Sequence, residues 1–246
     1  MRKNRIYIGY DSRERVAYDV ARYSFLSRTD RKQVTIMPIE LCNMGHILTR
    51  PIEKKDGRLW CPISQAPMAT EFAISRFVVP FLCKSGWALF VDCDVICLAD
   101  IKELFDLADD KYAVMVVKHE YVPKETTKMD GQVQTTYSRK NWSSVMLFNC
   151  SHPSNKNLTL EVLNTWPGRD LHAFKWLKDD EIGELPCEWN YLVDVNPKPA
   201  VPKLAHLTLG GPWLPEWPGG SCDKVWTDEY ASCLTSLKEP QSTHGR

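Results

Sequence analysis

The stretch Trp87-Ala-Leu-Phe-Val-Asp-Cys-Asp-Val-Ile-Cys-Leu98 decides how this chain folds. Its first five residues are all apolar, the pattern of a central strand that is covered on both faces of a parallel sheet. Asp92 and Asp94 follow at the carboxyl end of this strand, where open α/β sheets bind their ligands. Two neighbouring carboxylates repel each other, and a divalent cation that neutralises them explains their pairing. Oxygen ligands of this kind suit Mn²⁺ or Mg²⁺.

The Asp-x-Asp pattern by itself is weak, because about one such match is expected by chance in a chain of this composition. The alternative interpretation is a solvated turn in which an aspartate caps the backbone. The apolar strand before the two aspartates and the apolar residues 95–98 after them favour the metal site.

The chain before this stretch alternates between strand, helix and strand. Residues 6–10 form an apolar run, and Ser12 is predicted to cap a helix that begins after it. A further strand is predicted over 33–41. This order predicts a mainly parallel, Rossmann-like sheet flanked by helices, and 246 residues suit a single α/β domain. Residues 42–68 are predicted to be an irregular functional loop or lid, and residues 122–137 a hairpin or flexible loop.

One arginine stands on an apolar helix face. Thr70 is predicted to cap a helix that ends near Leu82, and Arg76 shares a face of that helix with Phe72 and Val79. Such a face does not suit a solvated cation, so we expect Arg76 to have an anionic partner.

Composition argues against several classes of function. The 31 basic and 31 acidic residues balance, which disfavours nucleic acid as a partner without excluding it. The nine cysteines form no pair of Cys-x-x-Cys motifs, so a zinc knuckle is not expected, and free thiols in a reducing compartment are the preferred interpretation. No apolar run suits a signal peptide or a membrane span, and a cytoplasmic location is predicted.

Six blocks of sequence, in order along residues 6–213, resemble the retaining glycosyltransferases of family 8, which have the GT-A fold and an Asp-x-Asp motif. The blocks are 6–11 (IYIGYD), 73–77 (AISRF) with Pro80, 89–95 (LFVDCDV), 141–149 (NWSSVMLFN), 185–190 (LPCEWN) and 206–213 (HLTLGGPW). The resemblance implies a metal-dependent hexosyltransferase that uses a nucleotide sugar, in particular a UDP-sugar. It implies one GT-A-like domain over 1–246, with a donor-binding part at about 1–118 and acceptor-binding and closing elements at about 119–246.

The resemblance also assigns roles at the metal site. Asp94 would be the principal metal ligand, Asp92 would be shared between the metal and the donor ribose, and His206 would be the third protein ligand. A lone histidine is more often structural, but its position before the Gly-Gly-Pro-Trp of residues 210–213 favours a ligand. Arg76 would pair with the Asp92 region or with the donor, and would act in catalysis.

Further residues are implied to contact the donor. Tyr10 and Asp11 would touch the base or the ribose, and a plain helix-entry turn is the alternative. Gly210 and Gly211 would bring the backbone close to the donor diphosphate, because glycine has no Cβ. Asp180 would be the catalytic residue beside the sugar, and a solvated helix end is its alternative. The family places a lysine where this chain has Gly211, so the chain resembles a divergent member.

The sequence does not identify the acceptor, which is a glycan, a protein or another hydroxyl compound. One alternative function is a sugar-nucleotide nucleotidyltransferase, which should have a glycine-rich phosphate loop after the first strand. Another alternative is a catalytically inactive nucleotide-sugar-binding module of the same fold. The intact carboxylates and histidine argue against that module. The sequence makes no prediction about the oligomeric state.

Overall fold

The computed structural model describes residues 3–120 and 139–238. The strands are β1 (Asn4–Gly9), β2 (Val34–Ile39), β3 (Glu53–Lys55), β4 (Arg58–Cys61), β5 (Ala66–Pro67), β6 (Trp87–Val91), β7 (Val95–Cys97), β8 (Val114–Val116), β9 (Val145–Asn149), β10 (Ile182–Glu184), β11 (Tyr191–Leu192) and β12 (Leu204–His206). The α-helices are α1 (Arg15–Arg28), α2 (Val79–Leu82), α3 (Lys102–Phe105), α4 (Leu160–Thr165), α5 (Gly168–His172) and α6 (Asp223–Lys238). Within the described ranges, no helix has both the length and the apolar character that crossing a lipid bilayer requires.

Six strands form the main sheet in the order β10-β8-β9-β6-β1-β2. Neighbouring strands are parallel except at β9, which runs antiparallel to both β6 and β8. α1 connects β1 to β2, as the parallel pairing of these two strands requires. The predicted α/β class with a mainly parallel sheet is therefore confirmed.

β6 is the central strand that its apolar sequence predicts. Ala88, Leu89, Phe90 and Val91 have no exposed surface, and the strand lies between β1 and β9. Burial of each large apolar side chain contributes roughly 1.5–3 kcal/mol to folding. This burial fixes the position of the residues that follow Val91.

One edge of the main sheet collects the carboxyl ends of β1, β6 and β8, because these three strands run in the same direction. A second sheet, in the order β11-β12-β7, continues from this edge. β7 begins directly after Asp94, and β12 pairs antiparallel with it so that His206 lies opposite Val95. The amide of Leu207 also donates to the Asp94 carbonyl at 2.8 Å. The pairing of β7 with β12 thereby carries a late segment of the chain to the end of β6.

The single helix predicted over 70–82 is wrong. The chain instead forms a 3₁₀ turn at Ser75–Val78, which is followed by the short α2. Pro80 explains the difference, because a proline has no backbone N–H and its ring would clash with the Arg76 carbonyl in one continuous α-helix.

The predicted cap at Ser12 is also wrong. The Asp11 side chain accepts a hydrogen bond from the Arg13 amide and caps the 3₁₀ turn Ser12–Glu14 that precedes α1. The Ser12 hydroxyl donates to Glu71 at 2.6 Å instead. Aspartate is as good a cap as serine, and the sequence offered both at adjacent positions.

The region 42–68, predicted to be irregular, contains the small antiparallel sheet β3-β4-β5. Asp56 and Gly57 connect β3 to β4, and both have positive φ angles, 51° and 74°. An Asp-Gly pair with this backbone is a strong signal for a β-hairpin, so the hairpin was predictable from the sequence. The segment 122–137, predicted to be a hairpin or flexible loop, lies outside the described residues.

Candidate metal centre

Asp92, Asp94 and His206 converge at the carboxyl end of β6. One ligand atom from each lies within 4.8 Å of the other two, and Nε2 of His206 lies 3.2 Å from Oδ1 of Asp94. The His206 side chain is buried, whereas the Asp92 and Asp94 side chains are 14% and 20% exposed. Two carboxylates and one imidazole nitrogen are a suitable donor set for Mn²⁺ or Mg²⁺, and the exposed side leaves room for further oxygen ligands.

The hydrogen bonding of His206 fits this role. Its Nδ1 lies 2.9 Å from Oδ1 of Asn190, and an amide oxygen only accepts, so Nδ1 carries the proton. Nε2 then turns a lone pair toward the Asp94 oxygen, and a shared cation would join these two acceptors. Asn190 is itself fixed, because its amide nitrogen donates to Oγ of Ser144 at 3.0 Å. The donor set therefore fits a divalent cation.

Arg76 has the anionic partner that its apolar surroundings predict. Its Nη1 lies 3.0 Å from Oδ1 of Asp92 and donates to the Ser143 carbonyl at 2.9 Å. The guanidinium also lies 5.3 Å from the ring centres of both Phe72 and Phe90. These contacts hold a buried cation beside Asp92 and orient that carboxylate.

Asp11 and Tyr10 lie at the end of β1, next to β6. Asp11 is fully buried and accepts hydrogen bonds from the side chain and amide of Arg13 and from the amide of Glu71. Burial acts to raise the pKa of Asp11, but these hydrogen bonds and the Arg13 charge outweigh it and hold that pKa below its usual value. Tyr10 is partly exposed and packs edge-on against Tyr18.

Glu14 is a residue of this edge that the sequence analysis missed. Burial, followed by the charges of Asp94 and Asp11, raises the pKa of Glu14 to about 7. Its carboxylate accepts a hydrogen bond from Nε1 of Trp213 at 3.2 Å. This hydrogen bond joins two segments that are distant in sequence, so no local pattern marks Glu14.

Four carboxylates gather at this edge of the described structure, those of Asp11, Glu14, Asp92 and Asp94. Arg13 pairs with Asp11, and Arg76 pairs with Asp92. Carboxylates that share a site repel one another when all are ionised. A divalent cation would reduce this repulsion, which is a second reason why the donor set fits a metal.

The structure gives Gly210 and Gly211 a role in the closing segment. A Cβ on Gly211 would lie 2.0 Å from the Trp213 ring, so the ring occupies the place that a side chain would take. Gly210 has a φ of +121° and its amide donates to the Leu207 carbonyl at 2.8 Å. That amide is therefore engaged within the chain, and close approach of this backbone to a phosphate stays a prediction.

The prediction for Asp180 is wrong. Asp180 is exposed and precedes β10, where Ile182 pairs with Val114 at the amino ends of these parallel strands. The register across the sheet puts Ile182 level with Ala88, four residues before Asp92. At about 3.3 Å per residue, Asp180 lies more than about 13 Å along the strands from Asp92. It belongs to the opposite edge of the sheet and cannot touch a sugar at the metal centre.

Two histidines that the sequence analysis missed lie on the side of the metal centre away from β1. Nδ1 of His172, in α5, lies 2.6 Å from Oγ of Ser143, and its ring packs edge-on against Phe77. His119 follows β8 and is 8% exposed. Burial and then the Arg76 charge lower the pKa of His172 to about 3, while burial and then His206 lower the pKa of His119 to about 4. Both rings are therefore neutral at pH 7.

The chain is similar to known sequences over most of its length. The family model described as glycosyl transferase family 8 matches residues 68–207. The Arabidopsis thaliana protein named Protein CDI is 48% identical over 232 residues, which cover 92% of this chain and 85% of that protein.

Solved glycosyltransferase structures share the fold. The apo structure of the bifunctional glycosyltransferase WbbM superposes with a TM-score of 0.62 at 14% identity, over 94% of this chain and 50% of WbbM. The galactosyltransferase LgtC, solved with donor and acceptor sugar analogs, gives a TM-score of 0.54 at 11% identity, over 93% of this chain and 95% of LgtC. This chain thus spans half the length of WbbM. At these identities the likeness shows a shared GT-A-type fold.

Proposed function

We propose that this chain, which belongs to glycosyl transferase family 8 and is a glycosyltransferase, moves a sugar from a UDP-sugar donor to a hydroxyl acceptor with the help of Mn²⁺ or Mg²⁺. The observation that carries the proposal is the convergence of Asp92, Asp94 and His206 at the carboxyl end of β6. Retention of configuration at the transferred sugar is supported by the family membership. The acceptor is a glycan, a protein or another hydroxyl compound.

The residues around the metal ligands support a leaving-group role for this centre. A cation bound there stabilises the negative charge that develops on a nucleoside diphosphate as the sugar bond breaks. Arg76 orients Asp92 at 3.0 Å, and Asn190 orients His206 at 2.9 Å. These buried contacts pre-organise the ligands, so that little rearrangement is needed when the donor binds.

The order of the strands indicates how the donor lies across the site, with its nucleoside at β1 and its diphosphate at β6. Tyr10 and Asp11 follow β1, and Asp92 and Asp94 follow the adjacent β6. A nucleoside at the end of β1 would therefore place its diphosphate at the end of β6. We assign donor binding to about 1–118 and acceptor binding and closure to about 119–246, with His206 contributed by the second part.

The alternatives are less well supported. After β1 the chain enters a 3₁₀ turn through Tyr10 and Asp11 instead of a glycine-rich loop of the kind that a sugar-nucleotide nucleotidyltransferase uses. Membership of a glycosyltransferase family favours an enzyme over an inactive binding module. All nine cysteines are free, which supports a reducing compartment such as the cytoplasm.

Donor hydrolysis tests the proposal. The protein would be incubated with a panel of nucleotide sugars and Mn²⁺, with and without a chelator, and the released nucleoside diphosphate would be measured. We expect release from one donor that the chelator abolishes and that Asp94→Ala and His206→Ala lower by about 100-fold or more. Asp228→Ala, which removes an exposed carboxylate of α6, is the control and should match the wild type.

Release that the chelator leaves unchanged would contradict the metal role. Donor binding by calorimetry covers the case in which turnover requires the acceptor. Mn²⁺-dependent binding without turnover supports an acceptor-gated enzyme or the inactive module, whereas absence of both binding and turnover would refute the proposed donor.

A further inference from the structure

His119 lies at the sheet edge that carries the metal ligands, and the function proposed above gives it no task. Val116, the last residue of β8, is level with Phe90 of β6, because both pair with Met146. His119 follows three residues later, beyond the carboxyl end of the strand. Its side chain is nevertheless almost completely buried.

Hydrogen bonding places the proton of His119 on Nε2. The amide nitrogen of Asn196 lies 3.2 Å from Nδ1, and an amide nitrogen only donates, so Nδ1 is the acceptor. The neutral ring therefore carries its proton on Nε2. Asn196 follows β11, whose Leu192 pairs with His206 of β12, so the ring is fixed against the sheet that supplies the third metal ligand.

Within residues 3–120 and 139–238, the Nε2–H group of His119 has no acceptor. Among the described residues, no atom makes a hydrogen bond to Nε2. A buried donor without a partner costs about 1–3 kcal/mol, and native proteins keep few of them. The protonated nitrogen also offers no lone pair to a metal ion. An oxygen atom of a bound molecule is the partner that suits this site.

The strand order indicates which part of a donor reaches His119. β1 lies on one side of β6, and β8 lies two strands away on the other side, with β9 between them. Neighbouring strands are about 4.8 Å apart, so the ends of β6 and β8 are separated by about 10 Å. With the nucleoside at β1 and the diphosphate at β6, the next group along the donor is the transferred sugar, on the side of β8.

We propose that Nε2–H of His119 donates a hydrogen bond to a hydroxyl oxygen of the transferred sugar and so helps to select and hold that sugar beside the metal centre. The inference rests on the proposed function, because it assumes a nucleotide-sugar donor. It makes His119 a residue that distinguishes the complete donor from its nucleoside diphosphate.

Calorimetry in Mn²⁺ tests this distinction. The dissociation constants of UDP and of five UDP-sugars (those of glucose, galactose, xylose, glucuronic acid and N-acetylglucosamine) would be measured for the wild type, His119→Asn and His119→Gln. Asparagine keeps a polar group near Nδ1, whereas the longer glutamine places an amide N–H near the position of Nε2. For the UDP-sugar that the wild type binds most tightly, we expect His119→Asn to weaken binding about 5- to 10-fold, as expected for one hydrogen bond.

The same measurements contain the controls. UDP should bind both variants within about 2-fold of the wild type, and His119→Gln should hold the UDP-sugar within about 3-fold, since it restores the donor group. Equal weakening of UDP and the UDP-sugar, unchanged binding of both, or equal loss in the two variants would overturn the sugar contact and leave the proposed function standing. A wild type that binds no UDP-sugar would overturn both.

Discussion

Replacing Asn190 by leucine tests whether the metal centre depends on the oriented tautomer of His206. The two side chains are similar in size, but leucine removes the oxygen that lies 2.9 Å from Nδ1 of His206. The imidazole is then free to move its proton to Nε2, which blocks the lone pair that faces Asp94. Loss of such a supporting contact typically weakens metal binding about 10- to 100-fold, or about 1.4–2.7 kcal/mol. The Mn²⁺ dissociation constant, measured by electron paramagnetic resonance, should rise by that factor.

The chain offers a matched control at Asn155. This asparagine is also buried, and its amide nitrogen donates to the carbonyls of Ala113 and Asn149, both at 2.8 Å. Asn155→Leu should lower the free energy of unfolding through its lost hydrogen bonds, and Mn²⁺ affinity should not change. If Asn190→Leu binds Mn²⁺ as tightly as the wild type, or if Asn155→Leu loses affinity equally, the tautomer argument is refuted.

Two further predictions concern stability. Because the pKa of His172 is lowered to about 3 by burial and by Arg76, the unfolded chain binds a proton below about pH 6.5 that the folded chain rejects. Stability is therefore lost as the pH falls, by at most about 2 kcal/mol at pH 5, and in urea unfolding His172→Gln should reduce the difference between pH 7 and pH 5. Gly211→Ala places a Cβ 2.0 Å from the Trp213 ring and should cost about 1–3 kcal/mol, while Gly45→Ala, with no atom within 4 Å, should cost far less.

The sequence alone was sufficient to predict the part of the site whose position depends on a single strand, β6. An apolar run that ends in two aspartates predicted both β6 and the position of Asp92 and Asp94, because a fully buried strand leaves its next residues at the sheet edge. The apolar helix face likewise predicted an anion for Arg76, since burial of an unpaired cation is too costly. The helix predicted over 70–82 was wrong, but the expectation of an anionic partner for Arg76 was right. That expectation depends on the burial of the guanidinium and not on the type of helix that carries it.

The remaining residues depend on contacts between distant segments. The order of sequence blocks could not show that Asp180 lies at the amino end of β10, because the direction of a strand follows from its pairing with neighbours. Glu14 looked like one more charged residue at the start of a helix, and its hydrogen bond from Trp213 joins segments that are distant in sequence. His119 required the register of β8 and the contact with Asn196. These are tertiary facts, and local patterns do not encode them.

The charge arrangement connects stability with catalysis in this fold. Carboxylates that share a site repel one another when they are ionised, because each raises the energy of its ionised neighbours. Burial, followed by the charges of Asp94 and Asp11, raises the pKa of Glu14 to about 7, so protonation of this carboxyl is one way to relieve the repulsion. In the function proposed here, a metal ion held by Asp92, Asp94 and His206 would reduce this repulsion and would supply positive charge for the leaving group. The carboxylates that β1 and β6 bring to a common edge would then serve both purposes.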